Sequence, residues 1–269
     1  MIDAKAVWLD IQKIREQAPL VHNITNYVVM NSTANALLAI GASPVMAHAI
    51  DEVEEMVGIA NALVINIGTL SRPWIDSMVK AARTAKKRGI PIILDPVGVG
   101  ATKFRTDTAT NILAEAPATI IRGNASEVRA LSFTGGSTKG VDSTHESDEA
   151  LGPARELSRR YGCAVSVSGA VDIVVHGENL LRIYNGHPLM PKVTGLGCTA
   201  SALTGAFAAV NPSPLFAAAH AMAVMGIAGE IAAESSKGPA TLQLHFIDAL
   251  YQLNESEIWK RLKHNEKAG

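Results

Sequence analysis

The chain is predicted to be an α/β protein of three layers, a mainly parallel central sheet with helices on both faces. Three observations carry this. Short apolar runs, such as Ala62-Leu63-Val64-Ile65-Asn66-Ile67, recur between longer segments of helical periodicity. The runs are apolar throughout rather than alternating, as expected of strands buried on both faces. Glycine or proline brackets most of them, so strand and helix alternate along the sequence.

Each element has its own warrant. Residues 4 to 17 place Val7, Ile11 and Ile14 at helical spacing among charged neighbours, an amphipathic first helix. Pro19 to Ile24 reads as a short strand, and Asn26 as the cap of a helix ending at Gly41. Pro44-Val45-Met46 is a second short strand, and the acids from Asp51 to Glu55 open another helix. The run 62–67 ends at Gly68; Ser71 and Pro73 then start a basic helix that stops at Gly89. Strand 91–96, a helix around 105–115, strand 118–121 and a short helix from Asn124 come next. The polar stretch from Gly135 to Asp148 reads as an exposed loop, before a helix over 148–161 and a strand over 164–168. Gly177-Glu178 joins 172–176 to 179–184 as a hairpin. Helices are expected near 198–210, 215–233, 239–253 and 256–264.

Bulk properties bound the function. A length of 269 residues without a linker of disordered composition points to one domain, residues 1–269. A net charge of −1 and an aromatic content of 4% provide no electrostatic or stacking case for nucleic acid or an anionic membrane. Cys163 and Cys198 lie far apart in no metal-binding pattern, which fits a reducing cytoplasm. Asp3, Lys5 and Asp10 interrupt the first apolar positions, so no signal peptide is expected there. Leu215 to Gly229 is apolar over 15 residues, short of a spanning helix, and is expected to pack inside the protein.

The chemistry is organised around Val193-Thr194-Gly195-Leu196-Gly197-Cys198-Thr199-Ala200-Ser201, a glycine turn feeding an alanine-rich segment. Free amides of Gly197, Cys198 and Thr199, with the positive end of the helix dipole, would form an anion site suited to phosphate. A plain turn capping a core helix remains the alternative. Gly195, Gly197 and Ala200 also satisfy G-x-G-x-x-[GA], but the next acid is Glu230, inside an apolar run, so a dinucleotide fold is rejected.

In an open α/β sheet, ligands bind beyond the carboxyl ends of the strands. Asn26, Met46, Gly68, Asp95, Arg122, Asn124, Glu127 and Ser168 fall there with the turn. Asp95 and Glu127 at neighbouring strand ends can hold magnesium, partly through water; each could instead cap a helix. Arg122 matches a polyphosphate or a surface carboxylate. Anion turn, carboxylates and cation together describe phosphoryl transfer, which rests on positioning and charge stabilisation. There is no P-loop G-x-x-x-x-G-K-[ST].

Val21-His22-Asn23-Ile24-Thr25-Asn26-Tyr27-Val28, Leu94-Asp95-Pro96-Val97-Gly98-Val99-Gly100, Ile121-Arg122-Gly123-Asn124-Ala125-Ser126-Glu127 and Gly195-Leu196-Gly197-Cys198-Thr199 resemble the ribokinase-like small-molecule kinases. Within these the chain is similar to the hydroxyethylthiazole kinase family along nearly its whole length. The resemblance implies transfer of the ATP γ-phosphoryl to the primary alcohol of 4-methyl-5-(2-hydroxyethyl)thiazole, in thiamine salvage. It implies ATP contacts from Arg122 and Ser168, with Asn124 nearby, and Mg2+ support from Asp95 and Glu127. Met46 and Gly195 would contact the thiazole, with Asn26 and Gly68 close by, and the assembly would be a homotrimer with sites at subunit boundaries.

Cys198 departs from the wider superfamily, where an aspartate usually takes the alcohol's proton. A thiol is a poor base at neutral pH unless its helix lowers its pKa, so the turn amides at Gly195 and Gly197 should matter more than the side chain. A sister kinase for hydroxymethylpyrimidine or pyridoxal, a thiol nucleophile and a nucleotide sensor are the rival readings.

Overall fold

The computed structural model describes residues 2–133 and 149–263. The predicted loop at 135–148 and the last residue of the helix predicted over 256–264 lie outside them. Eight strands form one sheet in the order β2-β1-β3-β4-β5-β6-β7-β8. β1 (Leu20–Ile24), β2 (Ser43–Val45), β3 (Ala62–Asn66), β4 (Ile92–Asp95), β5 (Ile120–Asn124) and β6 (Ala164–Ser168) are parallel. β7 (Asp172–His176) and β8 (Asn179–Ile183) form the predicted hairpin and make one edge antiparallel.

Helices cover both faces. One face packs on α1 (Ala4–Gln17) and α2 (Met30–Ile40); the other packs on α3 (Val53–Ile59), α4 (Arg72–Arg88), α5 (Lys103–Glu115), α6 (Ala125–Phe133) and α7 (Leu151–Tyr161). The first face also takes α8 (Leu196–Val210), α9 (Pro214–Glu234), α10 (Pro239–Gln252) and α11 (Glu255–Arg261). Alternation along each strand sorts the side chains: Val64, Ile93, Ile120 and Val174 enter the first core, while Leu63, Leu94, Ile121 and Val175 enter the second.

Four local expectations are corrected. Asn26 does not cap α2, which begins at Met30; its Oδ1 instead accepts the Val28 amide at 3.1 Å in the turn before the helix. Ser71 occupies the N-cap of α4 without a side-chain capping bond. β5 starts and ends later than predicted, so Arg122 and Asn124 lie within the strand rather than after it.

α9 is the fourth. It runs for 21 residues with a mean hydropathy of 1.6, enough by length and composition to cross a membrane. What makes it a core helix is its surroundings, since 83% of its most apolar window is buried in the protein. Pro214 at its first position and Ser213, whose Oγ accepts the Phe216 amide, extend it beyond the stretch counted from hydropathy alone. Its alanines let it lie close against its neighbours, and Gly226 packs against the Asn185 backbone where a Cβ would sit 2.5 Å from the carbonyl oxygen.

Candidate active site

The glycine turn is built as predicted, with one correction. Gly195 is the N-cap of α8 at φ 83°, a left-handed conformation that disfavours a side chain, and an added Cβ would meet Val29 Cγ1 at 2.7 Å. Thr199 N–H is not free: it donates to Gly195 O at 2.9 Å, the first bond of the helix. Helix geometry therefore leaves the amides of Leu196, Gly197 and Cys198 as the open donors, at the positive end of the α8 dipole. Gly197 is exposed, so that end faces outward.

Beneath the turn lies a row of polar side chains on the face that α8 covers. Asn66 pairs with Asp95 in the β3–β4 register and Arg122 with Ser166 in β5–β6; the Leu94–Ile121 pair brings Asp95 beside Arg122. All four are buried. Asp95 and Arg122 are thus not at an open rim, as expected from their strand ends, but under the helix that carries the turn.

Asp95 Oδ2 accepts from Asn66 Nδ2 and from Ser201 Oγ, each at 2.7 Å. Burial pushes its carboxyl up to about 7 despite Arg122 and these two donors, and Glu127 adds to the rise. Arg122 Nη1 donates to Gly197 O at 2.9 Å, while its Nε is buried without a partner. The guanidinium is therefore docked on the turn with donor capacity unspent, beside the open amides.

Glu127 and Asn124 do form a helix cap: Asn124 Oδ1 accepts the Glu127 amide and Glu127 Oε2 accepts the Asn124 amide, both at 2.9 Å. Glu127 Oε1 accepts the Gly98 amide at 2.9 Å. Capping does not exclude an ion, because each carboxylate oxygen has a second lone pair. Among the described residues no third His, Cys, Asp or Glu joins to form a metal-binding cluster. Two hard carboxylates, of which Asp95 is raised chiefly by burial with Glu127 adding to the rise, are a donor set suited to a magnesium ion that keeps most of its own waters. Ser168, the neighbour of Asn124 in register, is half-buried with its Oγ 3.4 Å from Gly123 O.

On the other side, Asn26 Nδ2 donates to Asn66 Oδ1 at 2.9 Å and to Cys198 Sγ at 3.4 Å. Gly68 closes against this pair, and a Cβ there would lie 2.6 Å from Asn26 Nδ2. Burial, reinforced by the Asp95 charge, raises the Cys198 pKa, so the helix terminus does not make it a thiolate. Asn26, Gly68 and Cys198 are thereby brought together with Asp95, Arg122 and the turn. Met46 is not part of that cluster; it follows β2, the strand at the sheet edge, and is half-buried.

Asn66 and Ser201 went unnoticed as site residues. Asn66 had a signal: a lone polar residue ending an apolar strand, as Asp95 ends its own. Ser201 closes the 193–201 stretch, but its residue type gives no sign of its bond to Asp95.

The comparisons identify the family. Residues 11–256 match the model of the Hydroxyethylthiazole kinase family. A hydroxyethylthiazole kinase of Syntrophus aciditrophicus (strain SB) is 62% identical over 263 residues, 97% of each chain. The structure of the hydroxyethylthiazole kinase protein from Pyrococcus horikoshii OT3 superposes with a TM-score of 0.90 at 47% identity, covering 96% of this chain and 98% of that one. A ribokinase-like superfamily protein from Enterococcus faecalis V583, at 13% identity and a TM-score of 0.66 over 90% of this chain and 86% of its own, shares the fold. The family model and these relatives show that the chain belongs to the hydroxyethylthiazole kinase family.

Proposed function

We propose that this protein transfers the γ-phosphoryl group of ATP to the primary alcohol of 4-methyl-5-(2-hydroxyethyl)thiazole, a salvage step of thiamine biosynthesis. The observation that carries the reading is the open N-terminus of α8 with Arg122 docked on the Gly197 carbonyl and Asp95 beside it. Amides and guanidinium are fixed before any ligand arrives, which is what stabilising charge on a transferring phosphoryl requires.

In this reading the amides at Leu196, Gly197 and Cys198 receive the phosphoryl oxygens, and Arg122, Asn124 and Ser168 face the nucleotide. Asp95 and Glu127 would hold Mg2+ through water, where it supplies neutralisation of phosphate charge. Asn26, Gly68 and Gly195 line the acceptor side. The raised Cys198 pKa keeps that side chain a neutral thiol, and a largely dissociative transfer needs little prior deprotonation of the alcohol. Among the described residues no histidine hydrogen-bonds Cys198, so it is poorly equipped as a covalent nucleophile.

Met46 reaches the acceptor through a neighbouring copy in a homotrimer whose sites lie at subunit boundaries. Exposed Tyr27 and Val28 beside Asn26 give that boundary apolar surface. The chain acts as a single domain, supported by one sheet on which helices from both ends of the sequence pack. Free thiols at Cys163 and Cys198 support a cytoplasmic setting.

ADP release is measured with the thiazole alcohol, hydroxymethylpyrimidine and pyridoxal in turn. The thiazole alcohol is expected to give the highest kcat/KM. A preference for either other alcohol would replace this substrate, and no ADP release with any of them would end the kinase reading.

A further inference from the structure

One side chain joins the two halves of the site, and the functional reading above assigns it nothing. Asn66 ends β3, is buried, and uses both ends of its amide. Its Oδ1 accepts from the Gly68 backbone amide and from Asn26 Nδ2, both at 2.9 Å. Its Nδ2 donates to Asp95 Oδ2 at 2.7 Å. The Gly68 amide requires an oxygen opposite it, and the carboxylate accepts where a donor is needed, so the amide has a single orientation. Gly68 has no room for a side chain because this pair occupies it, with a Cβ 2.9 Å from Asn66 Oδ1.

Asn26 in turn donates to Cys198 Sγ, and Ser201 of the same helix donates to Asp95. The four bonds close a ring from the acceptor side, through Asn66, to the carboxylate, and back to α8. We propose that Asn66 is a positioning residue for phosphoryl transfer, clamping Asn26 and Gly68 at a fixed distance from Asp95 and the turn. This rests on the kinase reading above and deepens it. Asn66 touches neither reacting atom. It sets the alignment of alcohol against phosphoryl, and displacement of such a pair by about 1 Å costs on the order of 100-fold in rate.

The test compares wild type with Asn66→Ser and Asn66→Asp. Serine removes the amide without adding charge; aspartate keeps the shape but loses the donor to Asp95. For each folded variant, phosphorylated thiazole alcohol and total ADP are counted in the same reaction. Loss of alignment is expected to lower kcat for the alcohol about 100-fold, to leave the KM for ATP within about threefold, and to raise the ratio of ADP formed to alcohol phosphorylated. A purely structural role lowers the melting temperature without changing that ratio.

Asn66→Ser with wild-type kcat and an unchanged ratio would overturn the proposal, whatever its melting temperature. Equal losses for ATP binding and turnover would overturn it too. If wild type itself transferred nothing to the thiazole alcohol, the functional reading would fail instead, and the control separates the two. Should Asn66→Asp not fold, Asn66→Ser decides alone.

Discussion

The two faces of the sheet are built from different materials. On the face covered by α3 to α7 the inward strand residues are aliphatic except for the buried His22, which pairs with Leu63 in register, and the helices are amphipathic, α4 and α7 burying alanine, methionine and leucine beneath lysines and arginines. On the other face α8 and α9 are apolar nearly all round, and 15 of the 21 residues of α9 are buried. Yet this drier face carries Asn66, Asp95, Arg122 and Ser166 in register. Polar groups are admitted where no water competes for them, so each counts for more in position and charge. The α3–α7 face is mainly stability, with Glu127 at its edge; the α8–α9 face carries most of the polar chemistry.

The hardest blow to that contrast should come from Asp95→Asn. It preserves shape and both neighbours but removes the charge, and kcat/KM is expected to fall on the order of 100- to 1,000-fold, read by steady-state ADP release. A loss below tenfold would mean the buried carboxylate is structural.

Next in size is a pair of matched substitutions. Gly205 in α8 packs on the sheet, where a Cβ would sit 2.6 Å from Val64 Cγ2 and 3.1 Å from Val21 Cγ1. Gly205→Ala should lose roughly 1–2 kcal/mol by denaturant titration, even after alanine's helix preference. Gly58 in α3 has open space around it. Gly58→Ala should gain up to roughly 0.5 kcal/mol. The same sign at both positions would erase the distinction between tight and loose faces.

Cys198→Ala sharpens the contrast within the site. With the thiol's pKa raised and the turn amides untouched, turnover should stay within about tenfold of wild type. Near-complete loss in a folded variant would return the catalytic role to the sulfur.

The mildest effect concerns pH. Burial pushes Asp172 up to about 7, against the pull of the Gly169 amide and Arg122. A carboxyl whose folded pKa lies above its unfolded value binds more protons when folded. It therefore loses stability as pH rises from about 4 through about 7. Asp172→Asn removes that cost, so its melting temperature relative to wild type should be higher at pH 8 than at pH 5.5. A difference that does not vary with pH would show Asp172 already ionised across the range.

Strand and helix order was largely legible, because buried parallel strands and glycine-stopped helices leave strong local patterns. The turn at 195–198 and the Asn124–Glu127 cap were legible for the same reason. Depth was not. Asp95 and Arg122 look like rim residues from their positions in the sequence, and they are covered by α8, whose Ser201 lies 106 residues after Asp95 and whose Gly197 lies 75 after Arg122. Asn66 and Ser201 escaped for that same reason: their partners are distant in sequence, and neither residue type announces chemistry alone. Met46 follows the edge strand β2 away from the cluster, and its proposed role toward a neighbouring copy rests on the resemblance.

The origin of the covering layer has a consequence for synthesis. Apart from α1 and α2, every α-helix among the described residues that packs on the Asp95 side of the sheet lies beyond residue 195. As the polypeptide leaves the ribosome, six parallel strands emerge with that side covered only by α1 and α2, followed by a greasy α9 that has yet to find shelter. Completion of the last third is what hides both from each other's wrong partners, making the nascent stage the moment of greatest exposure to aggregation and to chaperones.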